Sequence, residues 1–207
     1  NNLKRLLAYS TINQLSFIIL GAAILTPMSA TGALIHIPFH GFMKITLFLC
    51  AGAIAVITHK KNVSEMAGIG RQMPITMIAF TIAALGMCGA PPVAGFISKW
   101  HISLGAIEAG QTPFLIIILA GSLLDVVYFF PVIKTAFFER MPEADTVSGD
   151  MEERVEFFSG EVRSRERERP LYIFMIMPLA ITALFAILFC LHPQTLHIYD
   201  LVQMAVN

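Results

Sequence analysis

Five apolar runs, over about residues 6–25, 30–57, 74–108, 113–138 and 171–191, occupy most of this chain of 207 residues. A helix needs roughly 20 apolar residues to cross a bilayer, and in lipid only a helix satisfies every backbone group within its own segment. Each run is therefore read as a spanning helix. Composition agrees: 56% of residues are hydrophobic and 14% charged, with a mean hydropathy of +0.72, whereas soluble domains are about a quarter charged. The expected fold is an all-α, polytopic membrane bundle of about five spans, which excludes an ordinary soluble enzyme or a nucleic-acid-binding domain.

The second and third runs are longer than a straight span requires, so each must tilt, start outside the hydrocarbon or be interrupted. Three regions follow: a transmembrane bundle over 1–138, a charged loop over 139–170 that ends in "EVRSRERERP", and a last helix with its tail over 171–207. Cys50, Cys88 and Cys190 stand singly inside apolar runs, without the paired spacing of a disulfide framework or a metal site. The chain opens at Asn1 with no initiator Met and no cleavable signal pattern, as expected of part of a longer protein.

Charge sets the expected orientation, because cytoplasmic loops carry the excess of Lys and Arg. If the five runs alternate, twelve of the 14 basic residues fall on one side: Lys4 and Arg5, then Lys60, Lys61 and Arg71, then Lys134, Arg140 and five arginines of the charged loop. Asn1 is thus expected in the cytoplasm and Asn207 outside. The two basic residues left inside the spans are Lys44 and Lys99.

A lysine at mid-membrane costs about 2.5–3.5 kcal/mol on insertion scales, so it is expected to face a protein interior or water. In "HIPFHGFMKITLFLC", His40 and His36 precede Lys44 by four and eight residues. On a helix this stacks all three along one face, about 6 Å of rise apart. Histidine titrates near neutrality unaided, and lysine can where burial disfavours its ammonium, so the column suits proton relay. Pro38 leaves the carbonyl of Leu34 without its amide partner, a place for water. The plainer reading of either histidine alone is a packing residue hydrogen-bonded between helices. Metal transport is a weak reading, because no carboxylate or thiol shares that face at ligand spacing.

The third run contains "ALGMCGAPPVAGFISKW", where Gly86, Gly89, Pro91, Pro92 and Gly95 should break the helix. Broken backbone at membrane depth is tolerated only in a protein interior or a wet cavity. Lys99 follows the break by about two turns, with His101 beside it. Asp125, in the fourth run, is a further intramembrane charge that needs a partner, for which Lys99 or Lys44 would serve. Glu108 and His192 are expected near the outer surface, and Lys134 near the inner one with its ammonium snorkelling.

The blocks "NNLKRLLAYSTINQLSFIILG", "HIPFHGFMKITLFLCAGAI" and "GAPPVAGFISKW" resemble, in order and spacing, the antiporter-like membrane subunits shared by respiratory complex I, membrane-bound hydrogenases and Mrp-type cation/proton antiporters. The resemblance extends over about residues 1–135. It implies a proton-translocating subunit built of two inverted five-helix bundles, each with a broken helix and a buried lysine, of which this chain is similar to the second. It further implies that Lys44, with His40 and His36, sits at the centre of the proton path and that Lys99 lies towards the outer exit. Pro38 and Asp125 are not required by that family pattern, and the first bundle is not part of this sequence.

The expected function is proton translocation along His36, His40, Lys44 and then Lys99 to the outside, with Asp125 as charge partner. The alternatives are an Mrp-type Na⁺/H⁺ exchange subunit and a structural membrane anchor whose buried charges pair with partner helices. The expected partners are other membrane subunits of a prokaryotic inner-membrane complex of the NADH:quinone oxidoreductase-like or antiporter type, the lipid bilayer, and protons with or without Na⁺. Neither a cofactor nor a metal is expected, and no redox chemistry is assigned to the chain.

Overall fold

The structure, a computed structural model, describes residues 2–139 and 175–190 together with Met204. Its helices are α1 (Leu3–Ala23), α2 (Pro27–Thr58), α3 (Ile69–Gln72), α4 (Pro74–Cys88), α5 (Gly95–Glu108), α6 (Thr112–Phe138) and α7 (Met175–Cys190), with a single 3-10 turn at Val63–Met66. Three of them, α1, α2 and α6, are individually long and apolar enough to cross a membrane. Of the charged segment expected over 139–170 only Glu139 is described, and His192 and the tail around it lie outside the described residues.

Local chemistry sets the helix starts. Asn2 accepts the amide of Arg5 at the head of α1, and Thr26 and Ser29 form a capping box ahead of Pro27 on α2. Prolines also open α4 and α6, where their missing N–H costs nothing. α2 continues through Pro38 for 32 residues, about 48 Å of helix against a hydrocarbon core of about 30 Å. One proline removes one helical hydrogen bond, and the second run remains a single long helix.

The third run does break. Pro91 and Pro92 have no N–H, so the carbonyls of Met87 and Cys88 lose the donors that would continue the ladder. Gly89 turns the chain with φ +81°, and the Gly89 and Ala90 amides close the end of α4 on Gly86 and Leu85. The resulting halves have 15 and 14 residues, about 22 Å each and individually too short to span.

Helix α2 is the central post. Gly32 meets α5 so closely that a Cβ there would lie 2.7 Å from the Ile102 amide nitrogen, and one on Gly105 would lie 2.6 Å from that of Ser29. Small residues let membrane helices approach backbone to backbone. The two helices run antiparallel, so the next turn in from the Gly32–Ile102 contact sets His36 opposite Ser98. The larger apolar core joins α2, α4, α6 and α7 around Met43, Phe80, Phe129 and Phe189, and a smaller one joins α1, α5 and α6 around Phe17, Ile102 and Ile118. α7 docks through Phe189 against Phe39 and Phe42, and its Ala186 carbonyl accepts the Ala94 amide at the helix break at 2.9 Å.

Candidate functional site

The break leaves a carbonyl pointing inward. With no amide from Pro91 to meet it, the oxygen of Met87 accepts Lys99 Nζ at 2.6 Å and Gln14 Nε2 at 3.3 Å. Lys99 also donates to Ser122 Oγ at 3.2 Å and to Asp125 Oδ2 at 2.9 Å, and its ammonium lies 4.4 Å from the centre of the Phe17 ring. All three ammonium hydrogens thus have acceptors. Lys99 is buried within the bundle, and it is the partner that Asp125 needs.

Asp125 is wholly buried, and its carboxylate is fully occupied. Oδ1 accepts Asn13 Nδ2 at 2.8 Å and the Tyr128 hydroxyl, while Oδ2 accepts Gln14 Nε2 at 2.7 Å besides Lys99. Four donors from three helices fill the roughly four lone-pair sites of a carboxylate. An ion deprived of water at this depth is tolerated only when so compensated.

The column predicted on α2 is present and buried, with His36 at 0%, His40 at 8% and Lys44 at 7% exposure. The His36 and His40 rings stack, 6.0 Å apart and 11° from parallel. His36 Nδ1 faces Ser98 Oγ at 2.7 Å, and Nε2 faces Gln14 Oε1 at 3.2 Å. Among the described residues His40 Nε2 has no hydrogen-bond partner. Lys44 donates to Ser10 Oγ at 2.9 Å, and no described carboxylate lies within ion-pairing distance of it.

The geometry reorders the residues read along the sequence. Because α2 and α5 are antiparallel, His36 is the end of the column that adjoins Lys99, and Lys44 is the far end. Lys44 has its own approach to the same pair, for Ser10 also neighbours the Tyr128 phenol that bonds Asp125. His101 bonds the Ile97 carbonyl of its own helix at 2.8 Å. Lys134 is exposed, 3.9 Å from Glu139.

The family model described as NADH:quinone oxidoreductase/Mrp antiporter, TM matches residues 1–125. The chain belongs to this family. It is 43% identical over 142 residues to NADH-quinone oxidoreductase subunit N of Desulforudis audaxviator, a match covering 69% of this chain and 28% of that relative. Its fold is similar to a chain of the Mrp complex from a Dietzia species, with a TM-score of 0.76 at 21% identity, covering 97% of this chain and 41% of that one. A chain of the membrane-bound sulfane sulfur reductase, an archaeal respiratory membrane complex, gives 0.76 at 24% identity, covering 100% of this chain and 37% of that one. At these identities the two structures speak for the fold. This antiporter-family chain is an integral membrane protein, as its apolar runs predict, and it spans under a third of the curated relative's length.

Six polar side chains of the family member were not singled out from the sequence: Ser10, Asn13 and Gln14 of α1, Ser98 of α5, and Ser122 and Tyr128 of α6. A signal existed in "YSTINQLS", where Ser10, Asn13 and Gln14 recur at helical spacing inside an apolar run. Polar groups on one face of a membrane helix ask for partners across it. For Tyr128 the signal was its place three residues after Asp125, one helical step away, and for Ser98 it was only adjacency to Lys99, which on a helix points elsewhere.

Proposed function

We propose that this chain carries protons through the membrane part of a multi-subunit complex, between Lys44 and the Lys99–Asp125 pair, with His40 and His36 stacked between them. The observation that carries the reading is the polar face of α1, whose Ser10 bonds Lys44, whose Gln14 bonds His36 and Asp125, and whose Asn13 bonds Asp125. Five ionisable groups, Lys44, His40, His36, Lys99 and Asp125, thus share one buried seam at membrane depth, where each alone would be costly. His40 Nε2, which has no hydrogen-bond partner among the described residues, calls for a water, since buried polar groups are nearly always satisfied. With the basic ends of the helices in the cytoplasm of a prokaryotic cell, Lys44 lies on the inner side of the column and Lys99 on the outer, so the path runs outward from Lys44 through His36 to Lys99. In this reading residues 1–138 form the conducting bundle, 139–170 a cytoplasmic loop and 171–207 a closing helix and tail.

The test is Lys44→Ala in the full-length subunit within its complex, reconstituted in vesicles with a pH-sensitive dye inside. Proton movement should be lost while the complex still assembles. Undiminished transport by a correctly assembled variant overturns the assignment. The same vesicles, with Na⁺ supplied on one side, separate a pump from a Na⁺/H⁺ exchanger. A second reading, the structural anchor, draws on the saturation of Asp125 by four donors, and it requires that Lys99 and Asp125 be neutralised together without loss of transport.

A further inference from the structure

The hydrogen-bond directions around His36 impose a constraint that the proton path alone does not contain. Asp125, ionised and paired with Lys99, can only accept. Gln14 therefore turns its amide nitrogen to Asp125 Oδ2, at 2.7 Å, and that same nitrogen reaches the Met87 carbonyl at 3.3 Å. Both amide hydrogens are spent. What remains for His36 is the amide oxygen, 3.2 Å from Nε2, and an oxygen without a hydrogen can only accept.

We infer that Gln14 is a positioning residue that fixes neutral His36 as its Nε2–H tautomer, so that His36 gains and loses its exchangeable proton at Nδ1 alone. The groups facing the imidazole from each packed element are consistent with this. Gln14 and Phe17 come from α1, His40 from α2 itself, Ser98 from α5 with the Lys99 charge next to it, and Asp125 of α6 acts through Gln14.

On the Nδ1 side, Ser98 has one hydroxyl hydrogen and two acceptors within reach, His36 Nδ1 at 2.7 Å and the Gly95 carbonyl at 3.1 Å. With His36 neutral, the hydroxyl donates to Nδ1. When a protonated water of the path delivers a proton, its O–H bond breaks as Ser98 Oγ takes that proton and passes its own hydrogen to Nδ1. The new N–H then donates to Oγ, the remaining hydroxyl hydrogen points at the Gly95 carbonyl, and a neutral water is left behind. The Nε2–H bond and the Gln14 contacts are untouched, and release to a neutral water reverses both transfers. The Nε2 proton stays in place while Asp125 is ionised and holds Gln14. The Lys99–Asp125 pair thereby determines which side of His36 exchanges protons, a coupling that rests on the proton-path reading above.

The test is nitrogen NMR of the complex with isotopically labelled histidine, the His36 signals assigned by their disappearance in His36→Asn. Wild-type protein should show neutral His36 protonated at Nε2 and bare at Nδ1. Gln14→Leu should lose that single-tautomer signature and give a mixture, whereas Ser98→Ala, which leaves Gln14 in place, should keep it. An Nδ1–H tautomer in the wild type overturns the inference, as does an unchanged signature in Gln14→Leu. Should Gln14→Leu fail to assemble, the wild-type and Ser98→Ala spectra still decide, since loss of the Nε2–H signature in Ser98→Ala is equally contrary. Transport by Lys44→Ala is read alongside. If that variant transports normally while the tautomer behaves as stated, the path reading fails and the lock survives; the reverse pattern removes the lock alone.

Discussion

Neutralising Lys99 and Asp125 singly and together tests how far the buried pair is held by mutual compensation. Lys99→Met leaves a wholly buried carboxylate with three neutral donors, Asn13, Gln14 and Tyr128. Asp125→Asn leaves an ammonium facing an amide, with the Met87 carbonyl and Ser122 hydroxyl still in reach. Breaking a buried pair from one side costs about 3–5 kcal/mol, because the surviving charge is uncompensated. In Lys99→Met/Asp125→Asn no charge remains, and the Asn oxygen still accepts from α1 or Tyr128. The double change loses the three bonds of Lys99 and the Gln14 bond to Oδ2, so at about 1 kcal/mol net for each it should cost about 4 kcal/mol, well short of the summed single costs. The coupling between the sites should be about 2 kcal/mol or more, well beyond the roughly 0.5 kcal/mol scatter of independent substitutions. Denaturant titration of the full-length subunit in mild detergent, closed as a double-mutant cycle, measures it. Costs that add would refute the compensation argument. Transport by the double variant then divides the proposed readings: loss supports a carrier role for the pair, and full retention supports an anchor.

At the helix break, Gly89 sits at φ +81°, and a Cβ there would fall 2.9 Å from Lys99 Cδ. Gly89→Ala should cost about 1–2 kcal/mol in backbone strain and displace Lys99, lowering both the unfolding midpoint and transport; a wild-type midpoint would contradict it. Tyr128→Phe removes the phenol between the Ser10 side and Asp125 while leaving the Lys99 ion pair. It should slow proton transport and, by taking one donor from the buried carboxylate, lower stability by about 1.5–3 kcal/mol; a wild-type rate in vesicles would remove Tyr128 from the path. In the link after α2, the Asn62 side chain and then the backbone amides of Asn62 and Lys61 hold the Glu65 carboxyl below the usual carboxylate range. A depressed value means that this contribution is present above the ordinary pKa and fades as pH falls through the folded one. Protection of the amides at residues 61–65, measured relative to their intrinsic exchange rates, should fall below about pH 4, and Glu65→Gln should flatten that dependence.

Much of this architecture was legible in the sequence because lipid permits few solutions. Run length gave the spans, and the two adjacent prolines gave the break, since a missing N–H is a covalent fact that no packing repairs. The spacing of His36, His40 and Lys44 placed them on one face for the same reason. What spacing could not supply was pairing between helices. The sequence left Asp125 a choice of two lysines, and the choice was made by the backbone approach of α2 to α5 at Gly32 and Gly105, contacts fixed by side-chain volume across the bundle. The order of the column relative to Lys99 was hidden likewise. It depends on which way neighbouring helices run, whereas residue numbers alone invite reading the groups in chain order.

The two lysines differ in a way that bears on what each can do. Lys99 has three acceptors and a carboxylate among them, so losing its proton or moving away breaks several buried bonds at once. Lys44 has a single hydroxyl and no described carboxylate, next to a histidine whose Nε2 has no partner among the described residues. A buried donor without a protein acceptor is met by water, whereas one already saturated leaves no place for it. On the proposed reading, water therefore enters the seam beside Lys44 and His40, and the Lys99–Asp125 end opens only when something disturbs the pair. Gln14 touches both ends of that asymmetry, bonded to the saturated carboxylate on one side and to the histidine column on the other. The chain's capacity to let protons pass in sequence, and not leak, would then depend on an amide that carries no charge itself.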